Sequence, residues 1–367
     1  MMFSKCRFIF TILGVLTYAV DIGTDVWVSF VYFMEGDYYW FVLTLLCVFS
    51  ATLTVQIFSY SWFKDDQDQG EEHGISRHGV VVLHLLQMGI FTRYGLVLRK
   101  GLRAIQPRHH NRDQDRGIVH EVFAHATDVS MLRLFETFLE SAPQLILQTY
   151  IILKNGKGVS IQYATVLTSL LSIAWATVDY QRCLRRSLHH KKEMAAGLPS
   201  TVYLLYKLLT VTSRLLSITL LTLLNYYYAF ALAAVWLLGT VWAFVQKTDF
   251  CTSKHLEVLY RFVIGLILIF TYFNIKDQNT KTSVIIYYVF QVLQTSVILV
   301  LVFFLNPSPA YVLPISITIG STLSLGVIFL ILYYKFLHPQ NYGAREADEI
   351  DGLDRPKTPR IHKFIHQ

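Results

Sequence analysis

The sequence predicts an all-α polytopic membrane protein with about eight transmembrane helices and two re-entrant helices, in a five-plus-five arrangement that hints at an internal repeat. Three observations predict it. Of 367 residues, 53% are hydrophobic and only 16% charged, whereas a soluble domain carries about a quarter charged residues. The apolar residues gather into ten runs, most near the ~20 residues that a helix needs to cross hydrocarbon. Lys and Arg collect in a few of the polar links, as they do in cytoplasmic loops. The net charge of +7 is therefore read as topology, and no nucleic-acid partner is expected, because no basic stripe lies on an otherwise polar fold.

The runs lie at 8–33, 38–62, 79–98, 129–153, 159–181, 203–224, 226–246, 256–275, 283–305 and 311–335. All read as helices, since only helices or closed barrels satisfy the backbone in lipid, and the runs are too long and continuous for barrel strands. Residues 63–78, 99–128, 182–200 and the stretch from 336 are polar. The expected domains are a helical membrane domain, 1–335, with halves of about 1–190 and 200–335, and a cytoplasmic regulatory tail, 336–367. The first run holds Asp21 and Asp25 and is longer than the apolar core of a cleavable signal, so it reads as a membrane segment that stays in place.

Loop charges orient the chain. Lys5 and Arg7 put the N-terminus inside, and Glu35-Gly36-Asp37 then lies outside. After the third run come Arg99, Lys100, Arg103, Arg108, Arg112 and Arg116, a set that belongs inside. A third run that crossed fully would carry it out. A run that enters and turns back removes the conflict, and His84, Gln87 and Arg93 are poor lipid-facing residues. The fourth and fifth runs leave Arg182, Arg185, Arg186, Lys191 and Lys192 inside; the sixth and seventh form a hairpin around Asn225. The eighth run repeats the problem of the third: Lys276 and Lys281 follow it, Lys335 and Arg345 follow the tenth, and it carries Arg261 as the third carries Arg93. Both termini then lie in the cytoplasm. A plain ten-span chain is the alternative and also puts both ends inside.

Polar side chains at membrane depth are costly and need an explanation. The first run has Asp21 and Asp25 on one helix face. The fourth has Glu136, Glu140, Gln144 and Gln148 at four-residue spacing, with Arg133 one turn before Glu136 and Pro143 inside the stripe, where it should kink the helix or open its hydrogen-bond ladder. Asp179 stands close to Arg182, and Lys207 and Arg214 share a face of the sixth run. Buried ion pairs that dock helices would explain any one charge. A stripe running about 18 Å along a helix is better explained as a hydrophilic track for an ion, a solute or a lipid headgroup, with Lys207 and Arg214 balancing the acids.

No Walker loop, G-x-S-x-G elbow, H-E-x-x-H or Gly-rich dinucleotide turn occurs, so neither an enzyme nor a cofactor is expected. Cys6, Cys47, Cys183 and Cys251 form no C-x-x-C pair and read as free thiols. The acid pairs lack the oxygen-rich loop that completes a Ca²⁺ shell, and no metal site is expected.

The stretch LRLFETFLESAPQLILQTYIIL, 132–153, resembles the signature helix of the XK-related family. So do FSYSWFKDD (58–66), FTRYGLVLR (91–99), SIAWATVDYQRCLRRSL (172–188) and FNIKDQNTK (273–281), and the likeness runs through almost the whole chain. The resemblance implies a plasma-membrane phospholipid scramblase that needs no ATP. In its caspase-activated branch, an executioner caspase of the caspase-3 type cuts a terminal tail, and phosphatidylserine then reaches the cell surface in apoptosis. Other members are linked to transport or have no settled activity. Phospholipids and the caspase are thus the implied partners, with a single-span accessory subunit or a homodimer as further candidates.

Such a caspase requires Asp before the cut, Asp three residues earlier and a small residue after it. Asp348-Glu349-Ile350-Asp351, followed by Gly352, supplies all three. Each Asp offers a carboxylate to an Arg-lined pocket. Pro339, Gly343, Pro356 and Pro359 disfavour fixed structure around the site, as proteolysis prefers. An ordinary solvated acidic stretch is the alternative. Residues 360–365, with two large apolar side chains, read as an anchor that docks the tail; a cut after Asp351 would end its tethering. The rival function is a secondary transporter or transporter subunit, whose midplane site would use the same charges. A membrane adaptor, with purely structural charges, is a third.

Overall fold

The computed structural model describes residues 5–68, 74–105, 112–154, 160–187, 197–275, 281–305 and 311–338, with Gly156, Met194 and Ala195 beside them. Among these residues every regular element is helical. The helices are α1 (Lys5–Met34), α2 (Tyr38–Asp68), α3 (Arg77–Leu85), α4 (Gly89–Ile105), α5 (Arg112–Glu136), α6 (Ala142–Lys154), α7 (Ser160–Ser187), α8 (Leu198–Leu224), α9 (Ala229–Val245), α10 (Lys254–Phe270), α11 (Lys281–Leu305) and α12 (Val312–Leu332). By length and composition, five are long and apolar enough to cross a membrane: Arg7–Met34, Tyr38–Asp68, Leu198–Leu224, Lys281–Leu305 and Val312–Leu337.

Local chemistry sets the boundaries. Ser76 caps α3 by accepting the Gly79 N–H at 3.1 Å. Gly36, at φ 78°, makes the left-handed turn between α1 and α2. Pro199 sits in the first turn of α8, where its missing N–H costs nothing. Asn225 ends that helix and accepts the Tyr227 N–H at 3.0 Å, closing a tight link to α9.

The third run is two helices. The chain breaks at 86–88, where Gln87 takes φ 65°, and the Gly89 N–H is satisfied by Gln56 Oε1 of α2 at 3.2 Å. A Cβ on Gly89 would lie 2.4 Å from that oxygen and 2.8 Å from the His84 ring, so both side chains would have to shift. The arms on either side return to one end of α2. Arg77 at the start of α3 pairs with Asp68 at 2.8 Å, and Arg93 of α4 reaches Asp66 at 3.7 Å. The expected polar loop at 99–128 is mostly helix: α4 continues to Ile105 and α5 begins at Arg112. Polarity had suggested a loop, but Lys100 of α4 pairs with Glu121 of α5 at 3.3 Å, and such pairs let a helix run on beyond the apolar zone.

The fourth run contains a π-helical turn, Thr137–Ser141, in which the Ala142 N–H reaches back to Thr137 O. Pro143 stands two residues beyond it; its ring cannot sit against the carbonyl of Leu139, four residues back, and a wider turn relieves the clash. The helix is opened where the sequence expected it to be.

α8 is the central post. It packs on α6, α7, α11 and α12. Its small polar residues allow close approach: Ser213 donates to Ile319 O of α12 at 3.2 Å, and Gln291 of α11 donates to Thr210 O at 3.2 Å. α9 and α10 cross where Gly239 meets Gly265, and a Cβ on Gly265 would stand 2.9 Å from the Thr240 backbone nitrogen and 3.0 Å from Trp236 O. Gly265→Val should therefore cost about 1–3 kcal/mol of overpacking, read as a lower melting temperature of the purified protein, with Gly95→Val, where nothing stands within 4 Å, as the matched control.

Candidate functional site

Six of the polar residues singled out from sequence meet between α1 and the α5–α6 rod. Arg133 is the centre. Its guanidinium pairs with Glu136 at 2.5 Å and with Asp21 of α1 at 3.4 Å, and lies 4.8 Å from the ring centre of Tyr18. Glu140, in the π turn, lies within hydrogen-bonding reach of Asp25. Gln144 is beside the same carboxyl, and Gln148 follows, half-buried. Gly14 lets α1 approach α4, since a Cβ there would stand 2.9 Å from the Tyr94 hydroxyl.

The cluster is graded. Glu136 and Glu140 are 7% and 5% exposed, whereas the Asp21 side chain is 38% exposed. On α1, Phe10, Leu13, Leu16, Val20, Trp27 and Phe30 are exposed around the two acids. Polar groups therefore begin inside the bundle and end on its apolar outer surface. Such a cluster, buried at one end and bordered by exposed apolar side chains at the other, is chemically amphipathic.

The other singled-out charges lie elsewhere. Arg93 is 1% exposed and pairs with Asp128 at 3.1 Å as well as Asp66, donates to Ser59 Oγ and O at 3.2 Å, and stacks 4.4 Å from the Phe63 ring centre. It ties α4 to α2 and α5. Asp66, His125 and Asp128 bring one ligand atom each within 4.8 Å of one another, but the guanidinium already supplies the positive charge between the two carboxylates. Arg93→Leu should destabilise the protein by about 3–5 kcal/mol by stranding those carboxylates, and Arg93→Lys should recover only part, because a lysine lacks the fork; thermal unfolding in detergent checks both.

Arg261 holds the α9–α10 link, with Nε 2.9 Å from Thr248 Oγ1 and 3.5 Å from Glu257. Glu257 in turn accepts the Cys251 N–H at 2.7 Å. Asp179 sits among Arg7, Arg182 and Cys183. Lys207 and Arg214, expected to balance the acids, make no ion pair with Asp21, Asp25, Glu136 or Glu140 among the described residues. Both turn to the end of α10: Lys207 donates to Thr271 Oγ1 at 2.8 Å and Arg214 to Ile269 O at 2.7 Å. The tail motif Asp348, Glu349, Ile350, Asp351 and Gly352 lies outside the described residues.

Sequence reasoning missed Asp66, Asp128, Glu257 and Tyr18. The first two stood in stretches read as polar loops, and Tyr18 looks like any aromatic on an apolar helix. Spacing offered one usable signal: Glu257 stands four residues before Arg261, on the same helix face.

Several apolar helices with a charged cluster among them define a multi-pass helical membrane protein. The model of the XK-related protein family matches residues 9–339. XK-related protein 9 of Tetraodon nigroviridis is 41% identical, over 99% of each chain. XK-related protein 8 of Tetraodon nigroviridis is 34% identical over 92% of this chain and 84% of the relative. XK-related protein 8 of Pan troglodytes is 33% identical over 96% and 89%. The chain belongs to the XK-related family.

Proposed function

We propose that the chain is a plasma-membrane phospholipid scramblase, held silent by its C-terminal tail and released when an executioner caspase cuts after Asp351. Phosphatidylserine then moves to the cell surface. The observation that carries this reading is the graded polar cluster: Asp21, Asp25, Arg133, Glu136, Glu140, Gln144 and Gln148 range from buried to partly exposed beside the apolar outer face of α1. A zwitterionic headgroup would exchange water for these side chains while its acyl chains stay outside. Dragging such a headgroup through hydrocarbon is otherwise prohibitive, and lowering that cost is the whole task. No bond is made or broken and no cofactor takes part.

The proposed topology has eight spans, two re-entrant segments and both termini in the cytoplasm. Two distances support it. α3 and α4 both return to the Asp66–Asp68 end of α2, while their junction at Gly89 reaches Gln56, roughly 18 Å along that helix. The start of α10 touches α2 near the same end, through Thr252 and Asp65, while its far end meets Lys207, about a third of the way along α8. Since α8 and α9 form a hairpin, that region of α8 faces the same side as the α9–α10 link.

The rival reading, a secondary transporter or transporter subunit, draws on helix breaks at depth, which also build midplane substrate sites. Reconstituted protein decides between them. Liposomes carrying labelled phosphatidylserine and phosphatidylcholine, with a soluble tracer inside, should exchange both lipids only after caspase treatment and keep the tracer. Lipids that stay in place after complete cleavage would overturn the scramblase reading.

A further inference from the structure

We propose that Lys207 and Arg214 are positioning residues: they cap the carboxyl end of α10 within the bundle and do not line the lipid path. A helix end leaves four carbonyls without an intrahelical partner, and in an apolar surrounding each must be met by a side chain. α10 stops at Phe270, and Thr271 is extended, with φ −152° and ψ 153°. The accounting there is nearly complete. Ile267 O keeps the Thr271 N–H at 3.0 Å. Leu268 O takes the Tyr287 hydroxyl of α11 at 3.0 Å. Ile269 O takes Arg214 Nε at 2.7 Å. Lys207 then holds the outgoing chain, donating to Thr271 Oγ1 at 2.8 Å and to Tyr272 O at 3.1 Å.

Cations suit this place because the carboxyl end of a helix carries roughly half a negative charge. Neither side chain has an acidic partner among the described residues, and they are 1% and 3% exposed. The rings of Tyr203 and Tyr206 lie 5.7 and 5.1 Å from the lysine nitrogen and contribute the rest of its surroundings. Seven residues separate the two cations on α8, about 10 Å, so one post holds both the last turn of α10 and the extended strand that leaves it. The junction of α3 and α4 is met likewise by a neighbouring span, through Gln56. A set of pathway charges would instead face the cleft, where Arg133 already stands.

The cap needs donors; a lipid path would need charge. The test compares Arg214→Gln and Lys207→Gln, which keep a donor, with Arg214→Leu and Lys207→Met, which do not, all in the full chain. The Gln variants should keep lipid exchange after cleavage within about threefold of wild type, equally for phosphatidylserine and phosphatidylcholine. The donor-less variants should lower the melting temperature by about 4 °C or more. They should also raise maleimide labelling of a cysteine introduced by Phe273→Cys by about fivefold, as the end of α10 frays. Gln variants that lose exchange as fully as the donor-less ones, or unequally for the two lipids, with melting and labelling unchanged, would overturn the proposal. If the donor-less variants do not fold, the Gln pair decides alone: exchange that falls more than about threefold, or unequally for the two lipids, at unchanged melting temperature overturns the proposal. The link to lipid movement rests on the scramblase reading, but the cap does not. A wild type that moves no lipid, with the order of melting and labelling intact, refutes the former and keeps the latter.

Discussion

Asp351→Ala should abolish phosphatidylserine exposure in apoptotic cells that depend on this chain. The residue before the cut enters a caspase pocket built to pair with a carboxylate. A site of that kind rejects a substrate lacking the group by roughly four orders of magnitude, because its own buried polar groups are left unpaired. Cleavage on the apoptotic timescale should then stop, and the proposed tethering of the tail should persist. Annexin binding should fall to the level of cells lacking the protein. Glu349→Ala, one residue after Asp348 in the same stretch, should leave cleavage nearly unchanged. Exposure that persists in the Asp351 variant would mean that the tail motif is not the switch.

The second large effect falls on the cleft. Glu140→Leu in the caspase-treated protein should slow lipid exchange in liposomes about tenfold or more. One polar contact at membrane depth is worth about 1.5–3 kcal/mol when charged, and that amount enters the barrier directly. The protein itself should not suffer in proportion, since the nearest neighbour of Glu140 is another carboxyl, Asp25, and removing one of two like groups strands no opposite charge. Melting temperature and lipid exchange should thus separate. If exchange is unchanged, the headgroup path lies elsewhere. If the variant loses exchange only as far as it loses folded protein, the charges dock helices and the adaptor reading gains.

Much of the fold was legible because apolar runs of membrane length leave the backbone few options. Among the described residues every run is mainly helix, although the eighth stops at Phe270, short of the expected 275, and the third, suspect for His84, Gln87 and Arg93, proved to be broken at Gln87. What escaped was the polar flanks. Asp128 and Glu121 read as loop residues because charge was taken as a sign of water, whereas their partners Arg93 and Lys100 arrive from another helix 35 and 21 residues away in sequence. No local pattern announces such a pair. The candidate site was legible in part for the same reason. Asp21, Asp25, Glu136 and Glu140 were placed by period along their own helices, and Arg133 by its turn before Glu136. The sixth-run cations could not be placed, because their partners are backbone carbonyls, which every residue has.

The π turn at Thr137–Ser141 has a bearing on that stripe that spacing alone conceals. An α-helix advances about 100° per residue, so positions four apart creep around the axis by about 40° at each step. From Glu136 to Gln148 the creep would amount to about a third of a revolution, enough to carry the last glutamine off the cleft. A turn that takes in one extra residue sets the phase back by about 100°, which nearly cancels the creep. Glu136 and Gln148 thereby point along almost the same azimuth. The single residue spent in the bulge works as a vernier, converting a sequence interval that is slightly wrong for a straight row into a row that stays straight.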